Sequence, residues 1–550
     1  MKTKHVTHKP LLPSTELMAA AALLPARRRF LARAIALAVA LPACALAAPP
    51  IPTSALFDVK RFGAKGNGRT LDSPAINAAI AAAAAAGGGT VYFPPGRYLS
   101  ASIRLKSNIT LYLEAGAVIE AVAASVARYD LPEPNEAGGN YQDYGHSHWQ
   151  TGLIWGIGLN NVAIVGGGLI HGKGLISGHD KYTGYYTDQP DQPGEGDKAI
   201  ALRECSNVTL RDFSILHGGH FGILATGCRN MLVDHLTIDT NRDGMDIDGC
   251  TNVRVTNCTL NTPWDDAICL KASYGLGRIQ HCENITISDC MVSGNFDEGS
   301  VIDGTFKRST PDYRSGRYGR IKLGTESNGD FKNITITNCI FDECRGLAIE
   351  SVDGSHIEDM TISNITMRNV VNDPIFIRLG ARLRGPNQPQ VGTIKRINIS
   401  NIVVSGAFRN HASTIAGLIG HPIEDIRISN VQIETQGGGD AGWSALVPPE
   451  LPDGYPEPGM FGKAPAYAFY MRHVRAVEVH HVKVGYVQPE GRTAVVLDDV
   501  SDASFHSVNL RRGQGGAALF ELRGVSDFSA KDVRGMPDRA VVGRVDALKL

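Results

Sequence analysis

The 550-residue chain is long enough to bury a large core, and its 54 lysines plus arginines balance its 55 aspartates plus glutamates to a formal net charge of -1. That balance offers no whole-chain attraction to nucleic acid or to an anionic membrane, so neither is expected as a partner. The 61 glycines suit a chain with many turns.

Along the chain, Arg27-Arg28-Arg29-Phe30-Leu31 comes first as a twin-arginine pattern, followed by an apolar stretch around Ala34 to Ala43. Ala45-Leu46-Ala47 is an A-x-A cleavage site. The stretch is too short to span a bilayer. Residues 1–48 are therefore read as a signal peptide removed on export to the periplasm or the outside, with Met18 as an alternative start. Residues 49–550 are read as one domain without a membrane anchor.

Residues 55–99 predict a cap. Phe57 to Gly68 is a strand and a Gly-rich turn. Asp72 or Ser73 is placed to N-cap a helix with Pro74 at its first position; Ala75 to Ala86 continues it and Gly87-Gly88-Gly89 ends it. Thr90 to Leu99 is the next strand and turn. The stretch Phe57–Leu99 resembles the N-terminal signature of the pectin-lyase-like β-helix proteins, a signature common to hydrolases, lyases and phage tailspikes. It implies a fold and leaves the reaction open.

A strand motif then returns along the chain: Asn207-Val-Thr-Leu, Asn230-Met-Leu-Val and Asn252-Val-Arg-Val start 23 and 22 residues apart. Later copies include Asn284-Ile-Thr-Ile, Asn333-Ile-Thr-Ile, Met360-Thr-Ile-Ser, Ile397-Asn-Ile-Ser and Ile426-Arg-Ile-Ser. Each is a short strand of period two, joined through residues that tolerate left-handed backbone. One such coil cannot bury its inner face alone, but stacked coils can. The fold class expected is all-β, a single-stranded right-handed parallel β-helix with an N-terminal capping helix. A β-sandwich would need hairpin turns that are sparse here. Nine cysteines follow the cleavage site; Cys258, Cys290 and Cys339 recur at one place in the repeat and read as a ladder of core thiols.

Two acidic motifs lie one coil apart. Asp239-Thr-Asn-Arg-Asp-Gly-Met-Asp-Ile-Asp248 precedes Pro263-Trp-Asp-Asp-Ala-Ile-Cys-Leu-Lys271, and Asp243 precedes Asp265 and Asp266 by 22 and 23 residues. One turn of the solenoid separates equivalent residues by roughly 4.8 Å. Three carboxylates should therefore meet on one sheet, although like charges repel and raise each other's pKa. Glycoside hydrolysis needs such a group, one carboxyl protonated for the leaving oxygen and another ionised for water. The competing reading is a calcium site or a set of turn caps; Asp239 and Asp248 read as turn residues.

Asn241-Arg242-Asp243-Gly244-Met245-Asp246 and Asp265-Asp266-Ala267-Ile268 resemble the motifs of glycoside hydrolase family 28, the polygalacturonases and their relatives. The resemblance implies an exported pectin-cleaving enzyme that inverts the anomeric carbon. Asp265 would be the general acid, and Asp243 and Asp266 would activate water. It implies no cofactor and no metal. A pectic poly- or oligosaccharide is the implied partner, and the chain is expected to act as a monomer. Asn241, Arg242, Lys271, Lys322, Glu326 and Glu350 are the candidate substrate-binding residues.

The family's Gly-His-Gly is absent from Tyr318-Gly-Arg-Ile-Lys-Leu-Gly-Thr-Glu-Ser327. Its Arg-Ile-Lys is replaced by Ala348-Ile349-Glu350, while Arg320-Ile321-Lys322 lies one rung early. A neutral-sugar, rhamnogalacturonan or xylogalacturonan linkage is therefore the alternative to galacturonate. Alternatives of another class are a β-helix lyase, which would use a cationic base, and a non-catalytic glycan-binding protein. Tyr141 to Trp149 and Tyr182 to Tyr186 sit in long inserted loops, whose aromatic side chains either stack on sugar rings or merely pack. His217 and His220 flank two glycines and read as local turn residues, with a place in the cleft as the alternative. Trp443–Phe461, rich in Pro and Gly, reads as a long excursion placed to wall one end of a cleft; that would favour exo over endo action, and both stay open.

Overall fold

The computed structural model describes residues 55–142, 144–176, 193–308 and 317–550. Residues 1–48, read above as an export signal, and the aromatic stretch Tyr182 to Tyr186 fall outside these residues. From Leu56 onward the chain winds as a β-helix whose successive coils pair in parallel. The alternation seen in the sequence explains the winding. Val208, Met231, Val253, Ile285, Ile334, Met360 and Ile397 stand directly over one another in register, all essentially excluded from solvent. Each such side chain stabilises the fold by about 1.5–3 kcal/mol through the apolar area it removes from water.

The turns explain the recurrent asparagines. Asn207, Asn230, Asn252, Asn284 and Asn333 adopt φ between 54° and 58°, a left-handed conformation that Asn tolerates better than most residues. Their amides form a ladder, each donating to the Asn one coil earlier: Asn230 to Asn207 at 3.2 Å, Asn252 to Asn230 at 3.1 Å, Asn284 to Asn252 at 3.1 Å and Asn333 to Asn284 at 2.7 Å.

The cap helix spans Ser73–Ala85, with Pro74 in its first turn. Neither predicted side chain caps it. The Asp72 carboxylate accepts from the Lys65 and Gly66 amides of the preceding turn, and Ser73 Oγ accepts from the Ala101 amide. These residues tie the helix to its neighbours instead of closing its own end. Ile76, Ala79, Ile80 and Ala83 bury against the first coils. At the other end Arg539–Lys549 runs antiparallel to Phe520–Val533 and covers its edge.

Cys205, Cys228, Cys250, Cys258, Cys269, Cys282, Cys290, Cys339 and Cys344 are all buried free thiols. Losing a native disulfide from a protein typically costs about 2–5 kcal/mol. A reducing agent is therefore expected to leave the melting temperature unchanged; a drop of several degrees in calorimetry would reveal a cross-link.

The sheet that matters for function stacks Phe221–Thr226, Asp243–Asp248, Ile268–Ala272, Ile321–Ser327, Leu347–Ser351 and Ile375–Leu379. The long excursions, including residues 122–151, 380–392 and 438–465, fold over its outer side. They turn a flat ladder into a cleft.

Candidate active site

Asp243 opens its strand directly beneath Phe221. One coil later the amides of Gly244 and Met245 donate to the carbonyls of Asp266 and Ala267 at 3.0 Å, which stacks Asp266 against Asp243. Asp265 precedes it in a turn where its own Oδ1 accepts the Asp266 amide at 3.0 Å. One oxygen from each of Asp243, Asp265 and Asp266 lies within 4.8 Å of the others. The three line a cleft of about 460 Å³.

Their surroundings separate them. Asp243 is 3% exposed. Burial, then the neighbouring Asp246 and Asp265, push its carboxyl well above the usual carboxylate range, against the pull of Lys271 and Arg242. Burial also acts against the charge on Asp266, but Arg320, Lys322 and Lys271 outweigh it and hold Asp266 ionised. Arg320 Nε donates to Asp266 Oδ1 at 2.8 Å, and Lys322 Nζ stands 3.3 Å from Oδ2. Asp265 is the most exposed of the three, with 22% of its side chain in solvent, and pairs with Arg242 at 3.1 Å. Arg242 also donates to His220 Nε2 at 3.0 Å. Burial and then Arg242 push the His220 ring well below its usual pKa, so it stays neutral and able to accept. His220 sits in a turn, as the sequence suggested, and serves there as a buried prop behind Arg242.

This donor set suits proton chemistry better than a hard cation. Calcium favours oxygen ligands free of competing cations, whereas Asp265 already faces Arg242 and Asp266 faces Arg320 and Lys322.

The predicted substrate residues divide. Arg242, Lys271, Lys322 and Glu326 line the cleft. Lys322 reaches it from its own strand, and the stretch that seemed misplaced by one rung delivers both cations that clamp Asp266. Asn241 sits at the bend before its strand and is not among the lining residues. Glu350 is a correction: it is fully buried, behind Lys322 at 3.6 Å, and cannot meet a sugar. Burial, only partly offset by Lys322 and Arg320, pushes its carboxyl up to about 7. Glu326 does not present a bare negative charge either. It accepts from Lys271 at 2.8 Å and Arg384 at 3.1 Å, with Arg382 3.9 Å away. Burial resists its ionisation, but these cations and His146 hold it well below the usual carboxylate range. Asp239 and Asp248 are structural, but they end the strands Thr237–Asp239 and Asp243–Asp248 and do not sit in turns. Asp239 accepts from Asn261 and the Val301 amide, and Asp248 from Ser273.

Several site residues were not singled out from the sequence, most of them because excursions carry them. His146 reaches Asp246 at 3.1 Å. Tyr455 places its hydroxyl 3.4 Å from Lys322 Nζ, and Glu457 binds Arg320 and Arg345. Arg382 and Arg384 arrive from the loop after Ile375–Leu379. Trp264 and Tyr318 supply aromatic faces, and Arg345 stacks on Tyr318 at 3.3 Å.

Residues 56–167 match a family model described as rhamnogalacturonase A/epimerase, pectate lyase-like, and residues 192–312 match one for a right-handed β-helix region. A probable polygalacturonase of Vitis vinifera is 25% identical over 386 residues, covering 62% of this chain and 73% of that protein. An exopolygalacturonase of Zea mays is 22% identical, covering 69% and 84%. Among solved structures, the exopolygalacturonase of Thermotoga maritima superposes with a TM-score of 0.56 at 18% identity, covering 91% of this chain and 96% of that one. The winding and these likenesses converge: the chain is a right-handed parallel β-helix with polygalacturonases among its distant homologues.

Proposed function

We propose that the protein is an exported glycoside hydrolase that cleaves galacturonate-containing pectic chains from an end. The single observation that carries this is the convergence of Asp243, Asp265 and Asp266 in one cleft, with one member driven neutral and another held as an anion. Asp266 acts on the water. The Asp243–Asp265 pair supplies the proton to the leaving oxygen as a coupled unit: Asp243 holds it at rest, and Asp265, which the family resemblance makes the acid, is the member open to the cleft. Trp264, Tyr318 and Tyr455 offer faces for sugar rings. Attack at a chain end is supported by the 438–465 excursion, whose Tyr455 lines the cleft and whose Glu457 is pinned to Arg320.

Elimination is disfavoured by the state of the cations. Burial works against charge on Lys271 and Lys322, but Asp246 and Asp266 respectively lead the carboxylates that keep both firmly protonated. Neither is a ready base. The test is product analysis on a panel of pectic polysaccharides, comparing the native enzyme with Asp265→Asn. Saturated short products, released from the first minutes and abolished by the substitution, are expected. Unsaturated products would establish a lyase, and cleavage that survives Asp265→Asn would overturn the proposed acid unit. Recovery of a secreted chain beginning near Ala48 tests export.

One observation favours a second stereochemical reading. The three oxygens lie within 4.8 Å of one another, whereas acid and base in inverting enzymes generally stand about 6.5–9.5 Å apart. In a retaining reaction Asp266, the anion, is the nucleophile. The first-formed anomer, followed by NMR, separates the two: inversion is expected if Asp265 and Asp266 work through water, retention if Asp266 attacks carbon.

A further inference from the structure

The two cations that the family resemblance places at positions 348 and 350 are missing, yet the cleft is not short of positive charge. Arg382 and Arg384 enter it from the loop that follows Ile375–Leu379 and folds back toward the earlier coils. That loop is anchored. Asp353, 1% exposed, accepts from Arg382 Nε at 2.9 Å and from the Arg384 amide at 3.1 Å, and also binds the Arg382 fork. Arg382 further donates to the Thr325 carbonyl at 3.2 Å, and the Arg384 carbonyl accepts from Asn328. The backbone around Arg384 is therefore fixed before any ligand arrives.

The two arginines differ in what they leave available. Arg382 is tied to Asp353 and only 12% of its side chain is exposed. Arg384 has one carboxylate partner, Glu326 at 3.1 Å, while 38% of its side chain is open to the cleft. Its guanidinium is a fixed planar fork with five donors, and a single contact to one oxygen leaves the rest unspent. Glu326 meanwhile is already satisfied by Lys271. With Asp243 neutral, the cleft lining carries five cations (Arg242, Lys271, Lys322, Arg382, Arg384) against three anions (Asp265, Asp266, Glu326).

We propose that Arg384, braced by Arg382 and Asp353, holds the carboxylate of a uronate unit, replacing from a different loop the cation pair absent at 348–350. This rests on the hydrolase reading above and adds the residue that selects an acidic sugar over the neutral one suggested by Ala348 and Glu350. A planar carboxylate matches the arginine fork in two-point fashion, which a hydroxymethyl group does not. Arg384 is thereby a specificity-determining residue and takes no part in proton transfer.

The experiment pairs two probes with two readouts. Trigalacturonic acid and its carboxyl-reduced counterpart are compared, as substrates and as calorimetric ligands, on the native protein, Arg384→Gln and Arg384→Lys. Native protein is expected to prefer the acid by about 10–100-fold, the usual worth of a charge-assisted contact of about 1.5–3 kcal/mol. Arg384→Gln should erase that preference by weakening the acid alone, and Arg384→Lys should restore part of it. Equal losses on both probes would make Arg384 merely structural, and an undiminished acid preference would place recognition elsewhere; either overturns the proposal. If the native protein binds the acid through Arg384 but cleaves neither probe, the hydrolase reading fails and the uronate subsite stands.

Discussion

Asp266→Asn is expected to lower kcat by about 10²–10⁴-fold, the usual contribution of a positioned acid or base, with a smaller change in KM. The amide keeps the shape of the side chain but removes the anion that Arg320 and Lys322 hold in place. Both cations keep a second carboxylate, Glu457 and Glu350 respectively, so the fold should survive, and a melting curve separates lost chemistry from lost structure. Asp243→Asn and Asp265→Asn test the other half of the site. Asn is neutral, as Asp243 is at rest, but has no acidic proton to give. If the two form one donor, each single change should cost about as much as the double, because residues acting as a unit are not additive. Losses that multiply in the double variant would show two independent roles, and a fully active Asp243→Asn would reduce Asp243 to a neutral neighbour.

How much of this was legible in the sequence follows from which contacts are periodic. The column from Val208 to Ile397 and the ladder from Asn207 to Asn333 repeat once per coil, so spacing alone predicts that they stack. The aspartates share that logic: 22 and 23 residues separate Asp243 from Asp265 and Asp266. Rung counting failed where chain leaves the repeat. Glu350 occupies a position where a specificity residue was expected, but its side chain ends in a buried ion pair, because Lys322 on the preceding rung covers it. Arg382, Arg384, Tyr455 and Glu457 have no repeat position at all. Their excursions return to the cleft over separations of 58 residues for Arg384–Glu326 and 137 for Glu457–Arg320. The Pro- and Gly-rich stretch 443–461 did reveal an excursion that walls the cleft; which of its side chains face inward depends on tertiary packing.

Arg320 joins that excursion to the chemistry, and replacing it should be the most damaging single change outside the aspartates. It is 1% exposed and bridges Asp266 at 2.8 Å to Glu457 of the 438–465 excursion. Arg320→Met keeps much of the volume and removes the charge, leaving two buried carboxylates with weaker partners. Breaking a buried pair in this way typically costs about 3–5 kcal/mol, read as a lower denaturation midpoint. The pH dependence identifies the cause. In the native protein Asp266 is held below its unfolded pKa of about 3.9. Its pairing therefore stabilises the fold fully above that value, and the benefit is lost as pH falls through the depressed folded pKa. In Arg320→Met that folded pKa moves up. The stability gap between native and variant should then be full at neutral pH and shrink as pH falls through the variant's raised folded pKa. The acid limb of kcat/KM should shift to higher pH for the same reason, since activity requires the ionised form of Asp266. Arg320→Lys should recover part of both effects, because a point charge satisfies one carboxylate where the guanidinium fork spans two. A variant with an unmoved acid limb would show that Lys322 and Lys271 alone keep Asp266 ionised, and that Arg320 serves only to dock the excursion; faster proteolysis within residues 438–465 would then be the sole consequence of its loss.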